Sequence, residues 1–275
     1  MKNVSTIALT LLVGGLGISS QAFAVPCSGN AFLIGNYGAQ LSGTVTADLA
    51  GGIGGNAKST ANVAGFATTL GRFRLDGFGP IVGTVSTNTN GAYVQGVATG
   101  TYAVKYEDCS GTITLTDAGG GTQHFDGVVA TQGDTVLLIQ TDKGAGMSGI
   151  MQRSRSACDT RNLNTTYGFR RVGNTSYTSA TDGSNALTSV GEIVADAAGN
   201  FTATESMFRN GAFTRTVSAG TYSVAYDCSV VLKIVTTTAT GSATTLQGQI
   251  VADDKVLLWI QADNGSSVTG AFAAQ

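Results

Sequence analysis

One side chain of this sequence could act as a general base near neutral pH: His124, the only histidine. A Ser–His–Asp or Cys–His arrangement would have to use it, and no G-x-S-x-G elbow accompanies it. The corresponding part of the second half of the chain has Thr244 or Thr245, so His124 is expected to be a surface or strand-end residue. Metal chemistry lacks material as well, with no second histidine, no C-x-x-C pair and no EF-hand spacing around Asp253-Asp254 or Asp263. Neither a metal nor a cofactor is expected. Most aspartates stand in turns (Asp76-Gly77, Asp126-Gly127, Asp182-Gly183, Asp263-Asn264-Gly265), where a carboxylate caps its own backbone instead of pairing as acid and base. The glycine-rich stretch Ala50 to Ser59 approaches a phosphate-binding loop through Gly52 and Lys58-Ser59. Ala57 replaces the second glycine, however, and no helical period follows, which leaves a hairpin loop. Arg153, Arg155, Arg161, Arg170 and Arg171 crowd the middle of the chain, as a solvated basic surface or as an anion-accepting seam.

Two residue types recur in a way that chemistry or architecture could use. Tyr37, Tyr102 and Tyr106 return as Tyr167, Tyr222 and Tyr226. Pointing into a barrel, their rings and hydroxyls would suit a small ligand, and as recurrent core aromatics they would need none. Cys27 and Cys158 each open a copy, and Cys109 and Cys228 each end a tyrosine-rich segment. Pairing Cys27 with Cys109 and Cys158 with Cys228 closes each copy by itself. The rival, Cys27 with Cys158 and Cys109 with Cys228, would interlock the copies.

These residues must be positioned by strands. Gly100-Thr-Tyr-Ala-Val-Lys-Tyr-Glu-Asp-Cys-Ser110 returns one residue shorter as Gly220-Thr-Tyr-Ser-Val-Ala-Tyr-Asp-Cys-Ser229, alternating with period two. Tyr37 and Tyr167 are 130 positions apart, Gly71 and Gly191 only 120, so copy one carries about ten extra residues at the glycine-rich stretch. Asn90-Gly91 and Asn210-Gly211 signal type I′ hairpins. A first strand is expected around Phe32 to Leu41, and later ones over Gly111 to Asp117, Gln123 to Thr131 and Met147 to Gln152, with partners in copy two. Asp134 to Asp142 matches Asp254 to Asp263 with Trp259 as an additional residue, expected as a β-bulge or a register change. Hydrophobic residues make up 42% of the chain and charged ones only 12%, against a usual charged fraction of about 25%. With 39 glycines, this is the makeup of short strands and tight turns. The fold class is all-β: two tandem antiparallel barrels, or sandwiches, of about eight strands each.

Residues 1–24 have a signal peptide's form, with Lys2, an apolar run from Ile7 to Ile18 and Ala22-Phe23-Ala24 at the cleavage site. Repeat one is then residues 25–153, a linker 154–157, and repeat two 158–275. The apolar run is too short to span a bilayer, which needs roughly 20 residues. No transmembrane segment is expected after cleavage. Net charge is −2, which excludes a nucleic-acid surface.

At the Gly-Thr-Tyr element with its Asp-Cys-Ser ending, followed by the Val136 to Asp142 strand and the Met147 to Gln152 closing strand, the chain resembles uncharacterised secreted bacterial proteins. That resemblance implies export. By architecture alone it is similar to calycin and avidin barrels, although Gly-Thr-Tyr stands where lipocalins have G-x-W. The expected function is a non-catalytic exported protein, periplasmic, surface-bound or extracellular, that binds a small ligand or a surface partner. A structural or adhesive surface protein is the alternative. An outer-membrane barrel and an enzyme rank behind both.

Overall fold

The computed structural model describes residues 27–45, 65–175, 185–209, 211–236 and 243–275, and of residues 185 and 236 the backbone only. The signal segment, the stretch Ala50 to Ser59, the Asp182-Gly183 turn and Asn210 lie outside the described residues. The first repeat comprises β1 (Ile34–Val45), β2 (Gly65–Asp76), β3 (Pro80–Thr89), β4 (Ala92–Val104), β5 (Ser110–Asp117), β6 (Thr122–Ala130), β7 (Thr135–Gln140) and β8 (Ala145–Ser154). The second comprises β9 (Thr166–Thr175), β10 (Asn185–Ala195), β11 (Asn200–Arg209), β12 (Ala212–Val224), β13 (Ser229–Thr236), β14 (Ala243–Val251), β15 (Val256–Gln261) and β16 (Ser266–Ala274). Each set forms a closed barrel of sequential antiparallel strands, β8 returning to β1 and β16 to β9. Closure pairs every strand on both sides and removes the edges that Val- and Thr-rich strands would otherwise expose.

Period-two patterning decides which side chains fill the lumen. In β7, Val136, Leu138 and Gln140 are buried while Leu137 and Ile139 are exposed. The first barrel packs Leu41, Phe73, Val85, Phe125, Leu138 and Met151 into one apolar cluster, and the second has its own around Trp259. Outer-membrane barrels carry their apolar band outside and polar groups within; both lumens here are predominantly apolar. Among the described residues no helix is long and apolar enough to cross a membrane.

Local chemistry sets the turns. Asn90 (φ 50°) and Gly91 (φ 80°) both occupy the left-handed region that a type I′ hairpin between β3 and β4 requires. A single 3₁₀ turn precedes each barrel, Gly29–Phe32 in the first and Thr160–Asn162 in the second. The first strand thus begins after Phe32, later than expected, because long-range bonds hold the turn. Asn30 Nδ2 donates to Phe78 O at 3.1 Å, and Asn30 Oδ1 accepts from Val104 N at 2.7 Å. In the second, Asp159 accepts from Arg161 N at 2.9 Å. The disulfides are Cys27–Cys109 and Cys158–Cys228, so each repeat is closed by itself. Loops of 82 and 70 residues correspond to about 4 kcal/mol each in the chain-entropy treatment.

One expectation is corrected. Trp259 is neither a bulge nor a register change: β7 and β15 are both six residues long, and Trp259 pairs with Gly248 as Leu138 pairs with Gly127. The added length of copy two falls between β13 and β14, which end and begin at Thr236 and Ala243, whereas β5 and β6 are joined from Asp117 to Thr122.

Candidate functional site in the second barrel

With the register settled, the two lumens can be compared position by position, and they differ in kind. Leu41, Val85 and Leu138 of the first barrel correspond to Arg171 on β9, Glu205 on β11 and Trp259 on β15. Ala39, Ile81 and Met151 correspond to Phe169, Phe201 and Phe272. At these six positions the second barrel has exchanged aliphatic groups for four aromatic rings and an ion pair, while Phe73 and Phe125 of the first give way to Ile193 and Leu246.

These side chains surround a cavity of about 100 Å³ inside the barrel. Phe169 meets Phe272 edge-on with centroids 5.5 Å apart, and Trp259 lies 5.8 Å from Phe272. Gly270, in register with Trp259, makes room for the indole: a Cβ there would lie 2.4 Å from Cζ2. Arg171 Nε stands 2.5 Å from Glu205 Oε1, and Nη2 donates to Oε2 at 2.8 Å. Arg171 Nε also donates to Ser189 Oγ at 3.0 Å. The Trp259 indole N–H is buried and has no hydrogen-bond partner among the described residues. A buried donor left unmade costs about 1–3 kcal/mol, so this lumen holds an unfilled request for an acceptor.

A second hollow of about 480 Å³ lies outside the first barrel, over Val128, Leu137 and Ile139. Its greater size does not make it the better ligand site, because it is an open surface hollow whose walls mix aliphatic groups and glycine backbone with the exposed side chains of Lys105, Thr112 and Asp126. Engineered apolar cavities of roughly 150 Å³ hold a benzene ring. A space two-thirds as large limits any ligand to a small ring or a short chain and excludes drug-sized ones.

The tyrosines occupy the end of each barrel next to its 3₁₀ turn. Tyr37 donates to Gly133 O at 2.9 Å, Tyr102 to Leu33 O at 2.8 Å, Tyr167 to Asn162 O at 3.3 Å and Tyr222 to Leu163 O at 2.6 Å. Tyr106 and Tyr226 are exposed. None of the six lines the lumen cavity. Burial disfavours the phenolates of Tyr37 and Tyr167 and pushes both groups up to about 12, partly opposed at Tyr37 by Arg153 and reinforced at Tyr167 by Asp254.

His124 Nδ1 lies 2.7 Å from Asp142 Oδ1 at a strand end, with more than half of its side chain exposed. Burial works against the Asp142 carboxylate, but hydrogen bonds from Gln140 and from the amide and ring of His124 outweigh it and hold its pKa below the usual range. Four of the five crowded arginines are paired with carboxylates: Arg153 with Asp134, Arg155 with Asp254, Arg161 with Asp159 and Arg171 with Glu205. Among the described residues no group of three or more His, Cys, Asp or Glu side chains could hold a metal ion.

Sequence reasoning did not single out Glu205, Phe169, Phe201 or Phe272, and it gave Arg171 and Trp259 other roles. The usable signal was the aliphatic-to-polar exchange between copies, which treating Trp259 as an insertion obscured. Compared with protein-family models and with curated proteins, the chain finds no match in either.

Proposed function

We propose that the protein is an exported, non-catalytic binding protein whose second barrel carries a small single-ring or short-chain ligand in its lumen. The carrying observation is that Trp259, whose indole N–H is unpaired, and the Arg171–Glu205 pair line one cavity together with three phenylalanine rings. Replacing a buried ion pair by packed aliphatic groups is often neutral or stabilising by about 1–4 kcal/mol, and the first barrel contains that replacement in Leu41 and Val85. The costly version in one repeat is thus better explained by recognition than by folding. Two disulfides support an oxidising, exported setting.

Native mass spectrometry of the full-length protein, purified from the exported fraction of its host, tests this reading. The expected result is a bound small molecule, released on denaturation and missing from the Arg171→Leu/Glu205→Val variant. Equal occupancy in both proteins, or none in either, would overturn it. One observation favours a second reading as a structural or adhesive surface protein: both barrels leave bare aliphatic side chains on their outer faces.

A further inference from the structure

The two barrels meet through non-equivalent faces. The first contributes outward side chains of β8, β1, β2 and β3, the second those of β14, β15 and β16. Gln40 Nε2 donates to Trp259 O at 2.7 Å and Gly270 O at 2.6 Å, and Asn88 Nδ2 donates to Gln261 O at 2.9 Å and Ser266 O at 2.6 Å. Leu70, Val251, Leu258 and Ile260 form the apolar centre. A head-to-tail contact between two similar units uses one face of each and leaves the other face of each unused.

The unused faces retain the character of an interface. Leu70 is 3% exposed, and Val190, its counterpart on β10, is 57% exposed. Thr68 is fully buried, and the same residue type at Thr188 is bare. On the other side, Leu258 and Ile260 are 2% and 0% exposed, whereas their counterparts Leu137 and Ile139 are 54% and 55% exposed. Val128 and Leu137 are register partners and, with Ile139, border the outer hollow of the first barrel.

We propose that these two leftover faces fit each other between copies, so that the β6–β7 face of one molecule docks on the β9–β10–β11 face of the next. The occupant is a second copy of this chain, because the molecule already contains one instance of the contact. The docking surface keeps its close approach: Gly38 lies so near the second barrel that a Cβ would stand 2.6 Å from Gln249 and Val251, and Gly168 holds the same place on β9. The internal ion pair is not repeated on the free faces, where both of its positions are acidic. Arg72 pairs with Asp227 at 3.1 Å inside the molecule; on the free faces Glu192 takes the place of Arg72, and Lys105 borders the facing hollow. Asp108, at the position of Asp227, is engaged by Ser110 and feels the Lys105 charge. Phe208, exposed at the position of Asn88, adds apolar area where the internal contact uses an amide. Such a contact grows end to end, because each added copy presents a fresh face.

Sedimentation velocity on the full-length protein, from micromolar to millimolar, tests the proposal with Leu137→Glu and Val190→Glu, both outward substitutions that leave the cores intact. The wild-type protein should at least double its average mass across that range, and each variant alone should stay monomeric. Each variant keeps one good face, and the two good faces differ, so an equimolar mixture should form dimers and nothing larger. A wild-type protein that stays monomeric at millimolar concentration overturns the proposal. So does a mixture no more associated than its components, or one that grows beyond dimers.

Discussion

Arg171 and Glu205 are a matched pair placed where the same backbone elsewhere in the chain closes over Leu41 and Val85. Removing one partner and removing both should therefore have opposite effects. Glu205→Val leaves a partly buried guanidinium in the lumen with Ser189 and Met207 as its remaining partners, and should lower unfolding stability in urea by less than the roughly 3–5 kcal/mol of a fully buried pair. Arg171→Leu/Glu205→Val restores the first barrel's solution and should be neutral or stabilising by about 1–4 kcal/mol. A double variant as unstable as the single one would show that the lumen needs the charges for folding. His124 was expected from sequence to be a surface or strand-end residue, and it is an exposed residue of β6. The lumen pair was not readable, since an inward arginine and an outward one look alike until strand register is known.

Among the elements, the tyrosine-rich strands were legible from alternation and duplication, and the disulfides from the position of each cysteine within its copy. The 3₁₀ turns were not, because what holds them is distant: Asn30 reaches Phe78 and Val104, and the Tyr102 hydroxyl bridges Gly77 N and Leu33 O. The phenols at these barrel ends give the fold a sign-definite alkaline weakness. Below pH 10 Tyr37 and Tyr167 are neutral in both folded and unfolded chains, so their contribution is complete. As pH rises from 10 to about 12, the unfolded chain ionises first, and stability is progressively lost. Urea midpoints at pH 9 and pH 11 should show that fall, and Tyr37→Phe should flatten it even though the variant is weaker at pH 9. An unchanged slope in Tyr37→Phe would remove this phenol from the account.

Across the whole molecule, duplication has produced two copies of one architecture with different interiors. Composition, the Asn-Gly turn and period-two patterning were enough to indicate two all-β repeats, because short-range chemistry fixes strands and turns. Barrel against sandwich was not decidable there, since closure depends on β8 finding β1 and β16 finding β9 across the full length of each repeat. Nor could sequence say that the second lumen encloses a cavity, since the residues that line it lie far apart in the chain.

Because the chain has a single tryptophan, the Trp259 indole N–H gives one resolvable NMR resonance from the wall of the cavity. The most direct test follows that resonance in isotope-labelled full-length protein, freed of any bound molecule by unfolding and refolding with its disulfides intact, as phenol and benzamide are added as single-ring probes. Saturable displacement of the Trp259 signal by at least one probe is predicted, with the Gly149 amide at the equivalent site of the first barrel unmoved. A Trp259 resonance indifferent to both probes at millimolar concentration, or one that moves only together with Gly149, would contradict a ligand site in the second lumen.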